Sequence, residues 1–131
     1  MIRQATRWAW GLLAVTVLLA GCKRVEDEKT VSFEANVAKG VMEIPGQPKD
    51  MKVTITATAD APVTLYLVPT ADANQAMNEI DGKQESSKII AKSNTGESVT
   101  LEATMPANKD CTVVGASDKK AQATAKVVGR Y

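Results

Sequence analysis

Met51-Lys52-Val53-Thr54-Ile55-Thr56-Ala57-Thr58-Ala59-Asp60-Ala61-Pro62-Val63-Thr64-Leu65-Tyr66-Leu67 is the stretch whose reading decides the fold. In its first half Met51, Val53, Ile55 and Ala57 alternate with Lys52, Thr54, Thr56 and Thr58. An extended chain turns successive side chains to opposite faces, so this is a strand with one buried and one wet face. Threonine suits the wet face, because its branched carbon fits the pleat and its hydroxyl meets water. Asp60-Ala61-Pro62 then reads as a turn, and Val63, Leu65 and Leu67 as a returning strand, so a hairpin is expected. Leu65 sits at the centre of a core-facing row.

The same alternation recurs outward from this stretch. Val31, Phe33, Ala35 and Val37 alternate with Ser32, Glu34 and Asn36, and Val99, Leu101, Ala103 and Met105 alternate with Thr100, Glu102 and Thr104. Residues 88–91, 112–116 and 121–128 complete the set, the last two separated by the polar turn Ser117-Asp118-Lys119-Lys120. About seven short strands with turns between them predict an all-β fold, an antiparallel β-sandwich of jelly-roll or Ig-like type, rather than an alternating α/β sheet. One short helix is expected over 70–80, packed across an end or edge of the sandwich. Thr70 is its N-cap candidate, Ala73, Met77 and Ile80 its apolar row, and Gly82 its C-cap. Residues 40–49, with Pro45, Gly46 and Pro48, read as an irregular crossover.

From residue 53 to 130 the pattern resembles bacterial pre-peptidase C-terminal domains. The residues that carry the likeness are Val53-Thr54-Ile55-Thr56, Val63-Thr64-Leu65-Tyr66-Leu67 and Cys111-Thr112-Val113-Val114-Gly115-Ala116. The resemblance implies a jelly-roll-like sandwich of the kind attached to secreted enzymes. Thr64 stands where that family usually has an aspartate before the Leu-Tyr, so the likeness bears on the fold and not on an activity.

The first 21 residues are of another kind. Arg3 and Arg7 form a positive head, residues 8–20 carry no charge, and Leu19-Ala20-Gly21-Cys22 ends the run. The apolar part is shorter than the roughly 20 residues of a spanning helix. It fits the hydrophobic region of an export signal followed by a small-residue cleavage site. The Leu-Ala-Gly-Cys ending resembles the lipobox of bacterial lipoproteins. That resemblance implies a diacylglyceryl group on the sulfur of Cys22 and cleavage between Gly21 and Cys22. A thiolate is the one side chain nucleophilic enough for such selective alkylation. Each buried methylene contributes about 0.8 kcal/mol, so several acyl chains anchor a protein where one barely does.

The expected organisation is therefore a signal peptide over 1–21, the lipidated Cys22 and a charged tether over 22–29, and one β-sandwich domain over 30–131. The expected location is the bacterial cell envelope. Lys23 stands where an aspartate serves enteric bacteria as an inner-membrane retention signal, so outer-membrane residence is expected if the host has two membranes.

Removing the leader takes Arg3 and Arg7 from the 16 basic residues and none of the 15 acidic ones, leaving a net charge of −1. That balance argues against nucleic acid as a partner and against a polybasic second membrane contact. Phe33, Tyr66 and Tyr131 are the only aromatics beyond the leader, which disfavours stacking platforms for bases or sugars. The chain has no histidine, and with it go the commonest general base and the usual zinc ligand. With Cys22 acylated, Cys111 has no partner and reads as a small buried hydrophobe, its thiol pKa raised by Asp110.

Asp72, Asn74, Asn78, Glu79 and Asp81 are the densest set of oxygen ligands. Ala76 interrupts their calcium-loop spacing and Gly82 comes too late, so a solvated helix face is expected. Glu97 with Glu102, or Asp60 with Glu34, are carboxylate pairs that could approach in space. Ser86-Ser87-Lys88 is not the Ser-x-x-Lys arrangement of lactam-cleaving enzymes, and no phosphate loop or nucleophile elbow is present. No catalytic residue, metal or cofactor is expected. The reading is a non-catalytic binding or structural lipoprotein, held to the membrane by its N-terminal lipid anchor, with an envelope protein as its partner. The alternative is an envelope hydrolase using carboxylates without histidine, which a cleft holding two carboxylates with raised pKa values would mark.

Overall fold

In the computed structural model, which describes residues 24–83 and 87–131, the deciding stretch is one strand and not a hairpin. It runs Met51–Pro69 and belongs to two sheets in turn. Residues 51–58 pair with Gly96–Met105, residues 52–59 with Ala121–Arg130, and residues 64–69 with Cys111–Ala116. The expected turn at Asp60-Ala61-Pro62 is where the strand leaves one sheet for the other, with a register shift between Thr58 and Val63. Pro62 falls between the ladders, where its missing N–H deprives no partner. Asp60 Oδ1 accepts the Gln122 N–H at 2.8 Å, tying the crossing point to a neighbour.

The elements are β1 (Arg24–Phe33), β2 (Lys39–Ile44), β3 (Met51–Pro69), a 3-10 turn (Thr70–Asp72), α1 (Ala73–Asp81), β4 (Ala91–Lys92), β5 (Gly96–Met105), β6 (Cys111–Ala116) and β7 (Ala121–Arg130). The first sheet has the order β1-β7-β3-β5 and the second β2-β6-β3-β4, every pairing antiparallel. The result is a sandwich hinged on β3. Among the described residues it has seven strands, as expected from the alternation, though one expected pair is merged and β2 replaces part of the supposed crossover.

The strand expected over 88–91 is only Ala91–Lys92, and three further boundaries differ from the sequence reading, each for a physical reason. The charged residues 24–29, expected as a tether, belong to β1, whose register runs from Arg24↔Arg130 to Phe33↔Ala121. β1 is the edge of its sheet, and charges on an edge strand deter pairing with other chains. Its strand stops at Phe33, because Asn36 takes a left-handed φ of 62° and leaves Val37 48% exposed. β2 escaped notice because a bulge lies between Gly40 and Met42. Val41 and Met42 are therefore both buried, and the period of two is lost.

The core between the sheets is aliphatic, with Ile55, Leu65, Leu67, Leu101, Val113, Met51 and Met105 nearly inaccessible. Leu65 and Leu101 both face it, at 1% and 3% exposure, while Thr56 is on the wet side. The ring of Phe33 stands over Gly115, where an added Cβ would come within 2.5 Å of it. A side chain on that strand position would displace the ring of Phe33, the only fully buried aromatic among the described residues.

The helix lies on the outer face of the second sheet rather than at an end or edge. Its Ala73 and Ala76 pack with Val68, Val114 and Ala38. β6 is thus covered on both faces, which is why it reads as a continuous apolar run. Thr70 does not cap the helix. Its hydroxyl pairs with that of Thr112 at 2.9 Å, and the cap positions are held by Pro69 for the 3-10 turn and Asp72 for α1. Gly82 is the C-cap as expected, but the left-handed residue is Lys83, with φ 56°. Among the described residues no helix is long and apolar enough to cross a membrane.

Candidate functional site

α1 covers only the Val68 and Val114 end of the second sheet's outer face. Thr64, buried, and Tyr66 and Ala116, both half-buried, continue that face and floor a groove of about 790 Å³. Their placement follows from the pleat, since Leu65 and Leu67 point into the core and leave Thr64 and Tyr66 outward. One wall is the end of α1, with Ile80, Asp81 and Lys83. The opposite wall carries Ile89, Lys92 and Thr95, and the 117–119 turn closes the far end with Asn36.

Tyr66 is the chemical centre. Register sets Lys92 beside it on β4, and the Lys92 ammonium lies 5.8 Å from the ring centroid, within cation–π reach. Burial, and then the nearby Asp118 carboxylate, push the Tyr66 phenol above its ordinary 10, so it is a neutral hydroxyl at physiological pH. The hydroxyls of Thr64 and Thr95 meet at 2.5 Å. The Ser117 hydroxyl donates to the Pro62 carbonyl at 2.7 Å, and the Ser117 carbonyl accepts the Asn36 N–H at 2.7 Å. These bonds fix the turn that closes the groove. Asp81 Oδ1 accepts the Ala38 N–H at 2.5 Å, so that carboxylate holds the wall together. Lys83 and Asp118 approach to only 3.9 Å across the rim, both largely exposed, and such a pair contributes little.

A groove of this kind can hold an extended polar chain. The ring offers a flat face, the hydroxyls offer hydrogen bonds, and Lys83, Lys92 and Lys119 offer positive charge to carboxylates or phosphates.

The residues singled out in the sequence fall elsewhere. Of the oxygen cluster, Asp81 is committed to the Ala38 amide, Asp72 lies at the other end of the helix beside Lys109 and Asp110, and Glu79 Oε1 is buried without a hydrogen bond. Among the described residues no three His, Cys, Asp or Glu side chains gather as metal ligands. Glu97 and Glu102 lie on one strand, roughly 16 Å apart along it. Asp60 is engaged with the Gln122 amide and not with Glu34. Cys111 is fully buried in β6, and burial followed by Asp110 raises its thiol pKa. Ser86 lies outside the described residues, as do Gly21, Cys22 and the whole leader.

The groove itself was missed. One signal could have found it: Tyr66 stands between two inward leucines and must face outward, an unusual place for one of so few aromatics.

No protein-family model matches the chain, and no curated protein matches it. Distant solved structures are similar to it. One is from the disulfide-linked pili of Bacillus endospore appendages, at 13% identity, covering 84% of this chain and 88% of that chain, with a TM-score of 0.43. Another is from the acid-stable capsid of Helicobacter pylori bacteriophage KHP30, at 11% identity, 84% and 93% coverage, and a TM-score of 0.46. A third is the pre-peptidase C-terminal domain of collagenase from Bacillus anthracis, at 9% identity, 81% and 88% coverage, and a TM-score of 0.42. It is a solved member of the class that the sequence pattern resembles.

Proposed function

We propose that the protein is a lipid-anchored component of the bacterial cell envelope whose sandwich is a non-catalytic binding domain. It receives a segment of an envelope protein partner in the Tyr66 groove, while Cys22 holds it to the membrane, the outer one where the host has two. The observation that carries the binding reading is the groove: a half-buried, neutral phenol on its floor, hydroxyls beside it and lysines on its rim. The anchor reading is supported by Leu19-Ala20-Gly21-Cys22 after a basic and then apolar leader. A hydrolase would need two carboxylates facing a common substrate. The groove offers Asp81, already spent on a backbone amide, and Asp118 on the exposed rim.

The test is photo-crosslinking in the native envelope from a benzophenone amino acid placed at Tyr66 or, for comparison, at Thr100 on the outer face of the first sheet. A defined protein adduct from position 66, absent from position 100 and lost with Lys92→Glu, is expected. Equal adducts from both positions, or none from position 66, would overturn the binding reading. Labelling with an alkyne fatty acid tests the anchor separately: Cys22→Ser should abolish the label, and equal label in that variant would sink the lipidation.

A further inference from the structure

We propose that residues 24–30 have two states, an edge strand of the first sheet and a peeled, extended tether that lets the domain rise from the membrane with its core intact. The tether role rests on the lipid-anchor reading of Cys22.

β1 pairs with β7 from Arg24↔Arg130 to Phe33↔Ala121 and ends its sheet. Along a strand every second side chain turns to the same face. Phe33 is fully buried and sets the parity, so Val31, Lys29, Asp27 and Val25 lie on the core-facing side with it. Opposite Val31, Lys29 and Asp27, β7 presents the buried Ala123, Ala125 and Val127. Lys29 and Asp27 are therefore charges on the face where the other strands carry apolar residues, and both are exposed. From Glu26 to Thr30 every side chain is exposed, and Val25 and Val31 on either side are half-buried.

Inward charges on an edge strand deter the addition of another strand. Here they also leave residues 26–30 without burial to hold them. Beyond the backbone ladder, that run is tied to β7 by Glu26 with Lys126 at 3.2 Å and by the Thr30 and Thr124 hydroxyls at 3.1 Å. Both contacts lie on the surface, where an ion pair contributes little. The bonds from Arg24 to Glu26 and from the Glu28 N–H to Asp27 Oδ1 lie within β1 and survive its peeling.

The strand is locked at its other end. Phe33 stands over Gly115, and the Lys39 ammonium at the start of β2 donates to the Ser32 carbonyl at 3.1 Å. β7 keeps its own place through residues 123–130, paired with 52–59 of β3. A segment with few buried contacts opens without the rest of the domain, and the boundary here falls near Val31. In the sheet state Lys23 alone separates Cys22 from β1. Peeling 24–30 adds at most about 25 Å of extended chain, so the height of the Tyr66 groove adjusts to its partner.

The experiment uses the mature protein extracted from its own membrane and held in detergent, with amide hydrogen exchange read by fragment mass spectrometry. The protected amides of 24–30 should exchange together, at least ten-fold faster than those of 52–58, at a rate that low urea leaves unchanged. That insensitivity marks a local opening, which exposes little surface. Exchange of both segments at one rate, with one urea dependence, overturns the two states. An oxidised Thr30→Cys, Thr124→Cys pair should slow 24–30 to the rate of 52–58, and reduction should restore it. No slowing by the oxidised pair overturns the proposal, and if the pair does not oxidise, the urea dependence of the unmodified protein decides. A glutamate-specific protease applied to native membranes reads the tether. It should release a domain beginning at Asp27 or Lys29, several-fold more slowly with the oxidised pair; no release overturns the tether. Mass spectrometry of the extracted protein reads Cys22. A chain without acyl groups there overturns the anchor and the tether role with it, while the exchange result still decides the strand.

Discussion

The two outer faces of the sandwich are built from the same kinds of strand and meet different surroundings. On the first sheet the outer face is bare, a plane of threonine and charge running from Arg24, Arg130 and Lys52 to the row of Thr30, Thr124, Thr58 and Ser98. On the second sheet it is half roofed by α1 and half hollowed into the Tyr66 groove. The contrast shows where a small aliphatic domain has room for a ligand. A flat polar face offers water nothing to leave. A face that a helix covers only in part has walls, an aromatic floor and partly desolvated hydroxyls, which is what a ligand site requires.

Both faces share one core, so the largest effects should not discriminate between them. Leu65→Ala and Leu101→Ala, on the two sheets, should each cost about 2–5 kcal/mol in urea melts, a large part of the stability of an ordinary domain. A clear difference between the faces comes next. Val68 is fully buried on the outer side of the second sheet, and Val68→Ala should cost about 1–3 kcal/mol through lost burial and the cavity left under α1. Thr56→Ala, on the outer side of the first sheet, should cost less than about 1 kcal/mol. Thr56→Ala as damaging as Val68→Ala would mean that both faces are covered and would break the comparison.

Smaller effects sharpen it. The Tyr66 phenol titrates above its ordinary 10 because of burial and then Asp118. A raised pKa means that its contribution to stability is present below 10 and is lost as pH rises through the folded value. Ultraviolet titration should show a tyrosinate phase above pH 10 that disappears in Tyr66→Phe; a phase unchanged by that substitution would place Tyr66 in open water. The least effect belongs to the bare face. Glu26 is lowered from its ordinary 4.5 first by the hydrogen bond from Lys126 and then by the charge of Arg24. Its contribution is therefore present above that pH and fades as pH falls through the lower folded value. Glu26→Gln should flatten that acid limb slightly, and an unchanged acid limb would show that the pair contributes nothing.

The same contrast explains what the sequence disclosed. Strands of the first sheet have one wet face, so their period of two is open to view: Ile55 and Leu101 were placed correctly from pattern alone. In the second sheet the alternation survives at Val63, Leu65 and Leu67 of β3, but β6 is covered on both sides under α1 and β2 is interrupted by the Gly40–Met42 bulge, and in those two strands it fails. Asp60-Ala61-Pro62 has the chemistry of a turn, yet serves as a bend that carries one strand between sheets. No local signal separates these, because the outcome depends on which strands lie beside residues 51–58 and 64–69. The groove was hidden for a related reason. Tyr66, Lys92 and Ser117 come from separate strands and turns and meet only through register, while net charge conceals where each charge lies.

The most direct measurement of the central claim, that the partly roofed face is the contact surface and the bare face is not, is carbene footprinting of the protein in its intact envelope against the purified, detergent-held protein. Labelling of Tyr66 and Ile89 should fall several-fold in the envelope while that of Thr56 and Thr100 stays the same. Equal labelling of Tyr66 in the two states, or protection of Thr56 and Thr100 instead, would contradict it.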